Sequence, residues 1–140
     1  MVEEIVLHKE LLAIIVRDNF EKQGVTFFTT NELSQQLAFI EHPKGKIIEP
    51  HLHNPVPREV HYTQEVLFIK SGILRVDFFD DQQVFFESRI LNKGDVILLI
   101  KGGHGFEVCE DLQMIEVKQG PYVGEKDKTR FNSITAGKDQ

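Results

Sequence analysis

From Tyr62 to Lys118 the chain repeats one pattern, a short apolar run followed by a pair of turn residues. The runs read YTQEVLFIK, ILRVDFF, QVFFESRIL, GDVILLI, GFEVCE and LQMIEVK. Between them stand Ser71-Gly72, Asp80-Asp81, Lys93-Gly94, Gly102-Gly103 and Glu110-Asp111. β-Branched and aromatic side chains fit a pleated surface better than a helix, and turns at roughly ten-residue spacing are those of a sandwich or barrel. The N-terminal third reads the same way in EEIVLH, LLAIIVR and VTFFTT. NELSQQL opens as a helical turn, because Thr29 and Glu32 have capping-box spacing. LAFIEHPKGKIIEPHLH is expected to form a hairpin with HPKG as its turn. The expectation is an all-β fold.

Alternation orients these strands. In ILRVDFF, Leu74, Val76 and Phe78 share one face and are expected inside, opposite Ile73, Arg75 and Asp77. VLFI (66–69) and VILLI (96–100) are apolar on both faces. Their outer side must therefore be covered, by the N-terminal strands or by a second subunit, which predicts a homodimer. Phe78, Phe86 and Phe106 are expected to wall the interior, and Cys109 to be a small buried residue. No internal repeat divides the chain. The reading is one domain over residues 1–131, with a polar, loosely ordered tail over 132–140.

At 140 residues the chain can bury a core without disulfides or structural metal. A formal net charge of −6 argues against nucleic acid, whose phosphates need a basic surface. A single cysteine, Cys109, rules out an internal disulfide and fits a reducing compartment. The start, MVEEIVLHKELLAIIVRD, is acidic, and its apolar run Leu11–Val16 falls far short of the roughly 20 residues that span a bilayer. The expectation is a cytoplasmic protein with neither a membrane nor a nucleic-acid partner.

Half of the six histidines lie in PHLHNPVPREVHYTQE, which is either a metal or acid–base site or a polar loop. His51 and His53, two apart on an extended segment, project to the same side. Glu65 has the parity of Leu67 and Ile69, so its face is otherwise apolar, a setting that raises a carboxyl pKa or makes it a ligand. His104 follows a Gly-Gly pair and has the parity of Phe106 and Val108, which should turn it inward. A sheet closed on itself would let the four converge. Three imidazoles and one carboxylate suit a divalent transition metal such as iron, manganese, nickel, copper or zinc.

The pattern over residues 45–109 resembles the cupin superfamily. Gly45 is followed by KIIEP and then HLH, and Glu65 by VLFIKS and Gly72, spacings similar to those of the first cupin motif. Gly94-Asp95 and His104 in GDVILLIKGGHGF resemble the second. Between His53 and Glu65 this chain inserts NPVPREVHYTQ, a longer stretch than the motif has. It also carries Ile100 where the second motif has proline, and His104 arrives one residue early. The resemblance implies a jelly-roll barrel with N-terminal strands, often dimeric, and a metal held by His51, His53, Glu65 and His104.

What the resemblance implies for function is a metal-dependent enzyme acting on a small polar molecule. A sugar or a keto or hydroxy acid fits, in an isomerase, epimerase or dioxygenase reaction. His61 and Glu59, in the inserted stretch, are the candidate proton carriers. The alternatives are a non-catalytic module that binds metal and a small ligand, and a metal-free isomerase or epimerase using histidine as base with Tyr62 beside His61. Barrel folds host all of these, so the site must decide.

Overall fold

The computed structural model describes residues 1–132, so the tail expected over 132–140 lies outside the described residues apart from Asn132. The described residues form eight strands: β1 Val2–Leu7, β2 Glu10–Val16, β3 Gly24–Phe27, β4 Ala38–Glu41, β5 Glu65–Phe79, β6 Phe85–Leu91, β7 Val96–Leu99 and β8 Gly103–Lys118. A 3₁₀ turn, Gly124–Asp127, follows. The fold is all-β, a curled sheet that describes about half of a barrel.

The long strand β5 organises the sheet. Its first half pairs with β7 and its second half with β6, while β8 runs antiparallel along its whole length on the other edge. β7 pairs with β2, and β2 with β1. The two expected runs VLFIK and ILRVDFF are therefore one strand, bent at Gly72. Before the bend the inward residues are Glu65, Leu67 and Ile69; after it they are Leu74, Val76 and Phe78. Register shifts against β8 between Ile69 and Leu74 absorb this switch. Gly72 sits at φ +92, and a Cβ there would stand 2.1 Å from the Asp111 carbonyl oxygen. Only glycine permits both the dihedral and the approach.

Two apolar clusters result. The inner one joins Leu67, Ile69, Leu74, Val76, Phe78, Leu91, Ile97 and Leu99 with Ile5, Ala13 and Ile15, and Phe86 packs against it. The outer one joins Ile14, Val16, Leu98 and Ile100, covered by Phe20, Phe28, Leu33 and Leu37. The outer cover thus comes from the segment that carries the β3–β4 hairpin. β1 and β2 instead extend the sheet edge to edge.

Asp95 fastens one corner. Its buried carboxylate accepts from the Asp18 and Asn92 backbone N–H groups and from Arg17 Nη1, at 2.9, 2.7 and 3.0 Å. Arg17 in turn pairs with Glu3. Gly94 beside it has φ +87, and a Cβ would stand 2.0 Å from Asp18 Oδ1.

The hairpin expected about HPKG does not form. β4 pairs with β3, from Gly24↔Glu41 to Phe27↔Ala38, and residues 42–64 contain no strand. This arm is irregular and exposed, with Ile47 and Leu52 each 79% accessible. Pro43, Pro50, Pro55 and Pro57 remove backbone donors along it and discourage pairing within the arm.

Candidate functional site

The concave face of the sheet opens into a cleft of about 880 Å³ beside β8. Glu65 reaches it from the start of β5, His104 from the start of β8, and Glu116 and Lys118 from the end of β8. Lys128 borders it from beyond the 3₁₀ turn, and Phe106 supplies apolar wall. Pairing explains the grouping: Glu65 lies opposite Lys118, Leu67 opposite Glu116 and Phe78 opposite His104, and cross-strand neighbours share a face. The curl of β5 then brings the two ends of the concave face together. His104 Nε2 lies 3.8 Å from Glu65 Oε1.

That contact is not an ion pair of fixed charges. Burial, aided by the hydrogen bond and negative charge of Glu116, pushes the Glu65 carboxyl up to about 7, against the pull of Lys118 and Lys128. Burial also lowers the pKa of the His104 imidazole; Glu116 opposes this, while Lys118 and Lys128 reinforce it. Near neutral pH His104 is therefore a free base, and Glu65 is divided between its acid and its carboxylate. The pair can take one proton and give another without large cost, which is what general acid–base chemistry requires.

The other residues singled out from sequence lie elsewhere. His51 and His53 stand on the exposed arm with their rings 5.3 Å apart, edge to face, and His51 Nδ1 lies 3.0 Å from the Glu49 carbonyl oxygen. His61 and Glu59 are paired with each other at 3.2 Å and are largely in solvent. His61 and Tyr62 border both the main cleft and a second one of about 510 Å³, which Glu59 also lines. Cys109 is exposed rather than buried, because among the described residues no further strand lies beyond β8.

The four residues assigned to a metal by resemblance thus form two pairs, His51 with His53 and Glu65 with His104. Among the described residues no three His, Cys, Asp or Glu side chains stand close enough to hold a metal ion. As placed within one chain, the donors do not fit a metal centre. Glu116 is the site residue that the sequence reading missed. Its signal was present: in LQMIEVK it has the parity of Leu112 and Met114, the same acid-on-an-apolar-face pattern that drew attention to Glu65. Comparison of the chain with protein-family models, with curated proteins and with solved structures found no match.

Proposed function

We propose that the chain is a cupin-type jelly roll whose cleft takes a small, oxygen-rich molecule, a sugar or a keto or hydroxy acid, and moves a proton on it. The observation that carries this reading is the approach of Glu65 and His104 to 3.8 Å in the cleft, with the carboxyl pushed up to about 7. The glycine, histidine and glutamate spacings and the curled all-β sheet support the cupin part of it. His104, as free base, takes the proton from the carbon beside a carbonyl. Protonated Glu65 delivers its own proton to the carbonyl oxygen, and the product is the enediol. Return of the carbon proton to either face, or to the neighbouring carbon, gives epimerisation or isomerisation. Lys118 and Lys128 supply positive charge for an acidic substituent. His61 and Glu59, paired in solvent at the rim, are left to contact substrate on entry.

No helix among the described residues is long and apolar enough to cross a membrane. The exposed single thiol of Cys109 favours the reducing cytoplasm as the place where this chemistry runs. A metal-assisted form of the reaction needs His51 and His53 at the cleft, and elemental analysis of protein purified without added metal tests it directly. The proton-transfer reading is tested by incubating the protein in deuterated water with a panel of aldoses, ketoses and 2-keto and 2-hydroxy acids, reading deuterium at carbon by mass spectrometry. Glu65→Gln and His104→Asn should each slow exchange by about 100-fold or more. Exchange with no member of the panel, or exchange untouched by both substitutions, refutes it.

A further inference from the structure

Strand β8 is 16 residues long and among the described residues pairs with β5 alone, so within them its other edge is open from Gly103 to Lys118. Along it Phe106, Val108, Ile115 and Val117 are exposed, between 39% and 56% accessible. A long, unpaired edge with apolar side chains is what folded proteins take care to cover, because its free N–H and C=O groups template another strand. The same chain carries a stretch of strand-like sequence that no strand takes up. From residue 47 to residue 63 the arm makes no backbone–backbone hydrogen bond among the described residues, although KIIEPHLH (46–53) is rich in exposed apolar groups. Both ends of the arm are held to the body. Glu41 is in β4, and Gln64 accepts from Ser34 Oγ, the Gln35 N–H and the Gln119 N–H.

We propose that the protein is a strand-exchanged dimer, in which residues 46–53 of each chain pair antiparallel with the open edge of β8 in a second copy of this chain. The eight residues 46–53 can lie along 104–111 of the 16-residue β8. A register that sets His53 opposite the partner's His104 also sets Lys46 opposite the partner's Asp111, joining opposite charges. In that register Ile48 lies opposite the partner's Cys109. Pro50 is tolerated because the added strand becomes the new edge of the sheet. The outer face of β2 and β7 is already covered from within the chain, so the open edge of β8 is the surface left for a second copy. Exchange also accounts for the division of the histidines. The arm of one chain delivers His51 and His53 to the cleft of the other, so the site is complete only in the assembly.

The inference is independent of the proton-transfer reading, because its test reads mass and covalent linkage. Light scattering of the intact chain should give twice 16.1 kDa. Ile48→Cys, at a position exposed in the single chain, should be oxidised by diamide through the native Cys109 to a covalent dimer on a non-reducing gel. The wild type and the double variant Ile48→Cys, Cys109→Ser should give none. A monomer in solution, an internal disulfide within one chain, the absence of any cross-link, or a covalent dimer that survives Cys109→Ser would each overturn the proposal.

Discussion

Replacing Glu65 by glutamine should change how stability depends on pH, in a direction and over a window that the site dictates. In the folded chain the carboxyl titrates at about 7, against 4.5 for an unperturbed glutamate. Below pH 4.5 it is protonated in both folded and unfolded states and contributes nothing to the difference. As pH rises past 4.5 the unfolded chain releases its proton while the folded chain keeps it, so stability falls until about pH 7 and is level above. The displacement is worth about 3 kcal/mol. Glutamine has the shape of the protonated acid, can donate to Glu116 and does not titrate. The Glu65→Gln variant should therefore match the wild type near pH 4 and exceed it by about 3 kcal/mol near pH 8. His104 works in the opposite sense, since burial lowers its pKa. Its contribution is present above pH 6.5 and is lost as pH falls, but both proteins share it and it cancels in the comparison. Urea unfolding at a series of pH values, followed by far-ultraviolet circular dichroism because the chain has no tryptophan, measures the difference. A difference that does not change with pH, or one that turns against the variant at high pH, would refute the account of Glu65.

Two motif glycines should respond unequally to alanine. Gly72→Ala drives a Cβ into the Asp111 backbone and should cost about 3 kcal/mol or more, whereas Gly45→Ala meets nothing within 4 Å and should cost about 1 kcal/mol for its positive φ; equal losses of melting temperature would refute the packing argument. Asp95→Ala strips an acceptor from the Asp18 and Asn92 N–H groups and leaves Arg17 short of a partner. It should cost about 3 kcal/mol in denaturant unfolding, and a loss under about 1 kcal/mol would show that the corner is held by other contacts. The His104 ring, followed by NMR, should titrate below 6.5, and Glu116→Gln should lower the midpoint further by removing the charge that favours protonation; a midpoint at or above 6.5 refutes the buried, neutral imidazole.

Much of the framework was legible because it depends on local chemistry. Turn residues marked strand ends, and period-two alternation put Leu74, Val76 and Phe78 inside, where they are. Alternation also pointed Glu65 and His104 inward, though not towards each other; that needed the bend at Gly72, which joins two runs that read as separate strands. Residues 20–37 gave no sign that they would cover the outer face, because Phe20, Phe28, Leu33 and Leu37 have no regular period. Glu116 was passed over because nothing near it in sequence repeats the histidine pattern. Its importance comes from lying opposite Leu67 on β5, a neighbour 49 positions away. Strand propensity in KIIEPHLH could be read from the sequence, yet residues 46–53 form no strand within this chain, since pairing is set by what edge is open elsewhere.

The spacing that first suggested one motif separates into parts with different physical causes. Gly72 is required by the Asp111 backbone, Gly94 by the Asp18 side chain, and Asp95 by two N–H groups and Arg17. Each of these residues would be kept by stability alone, whatever the cleft binds. Glu65 is different, because burying its carboxyl beside Glu116 disfavours the ionised form and so weakens the fold above neutral pH. His51 and His53 are different again: on the exposed arm their rings contact each other, His51 also meets the Glu49 carbonyl, and neither is buried. Residues that weaken the fold, or do nothing for it, are where chemistry or assembly has to supply the reason. On that argument the proposed function is to be sought at Glu65, His104 and Glu116 in the cleft and at the histidine pair of the arm. The glycines and Asp95 belong to the scaffold that holds the cleft open.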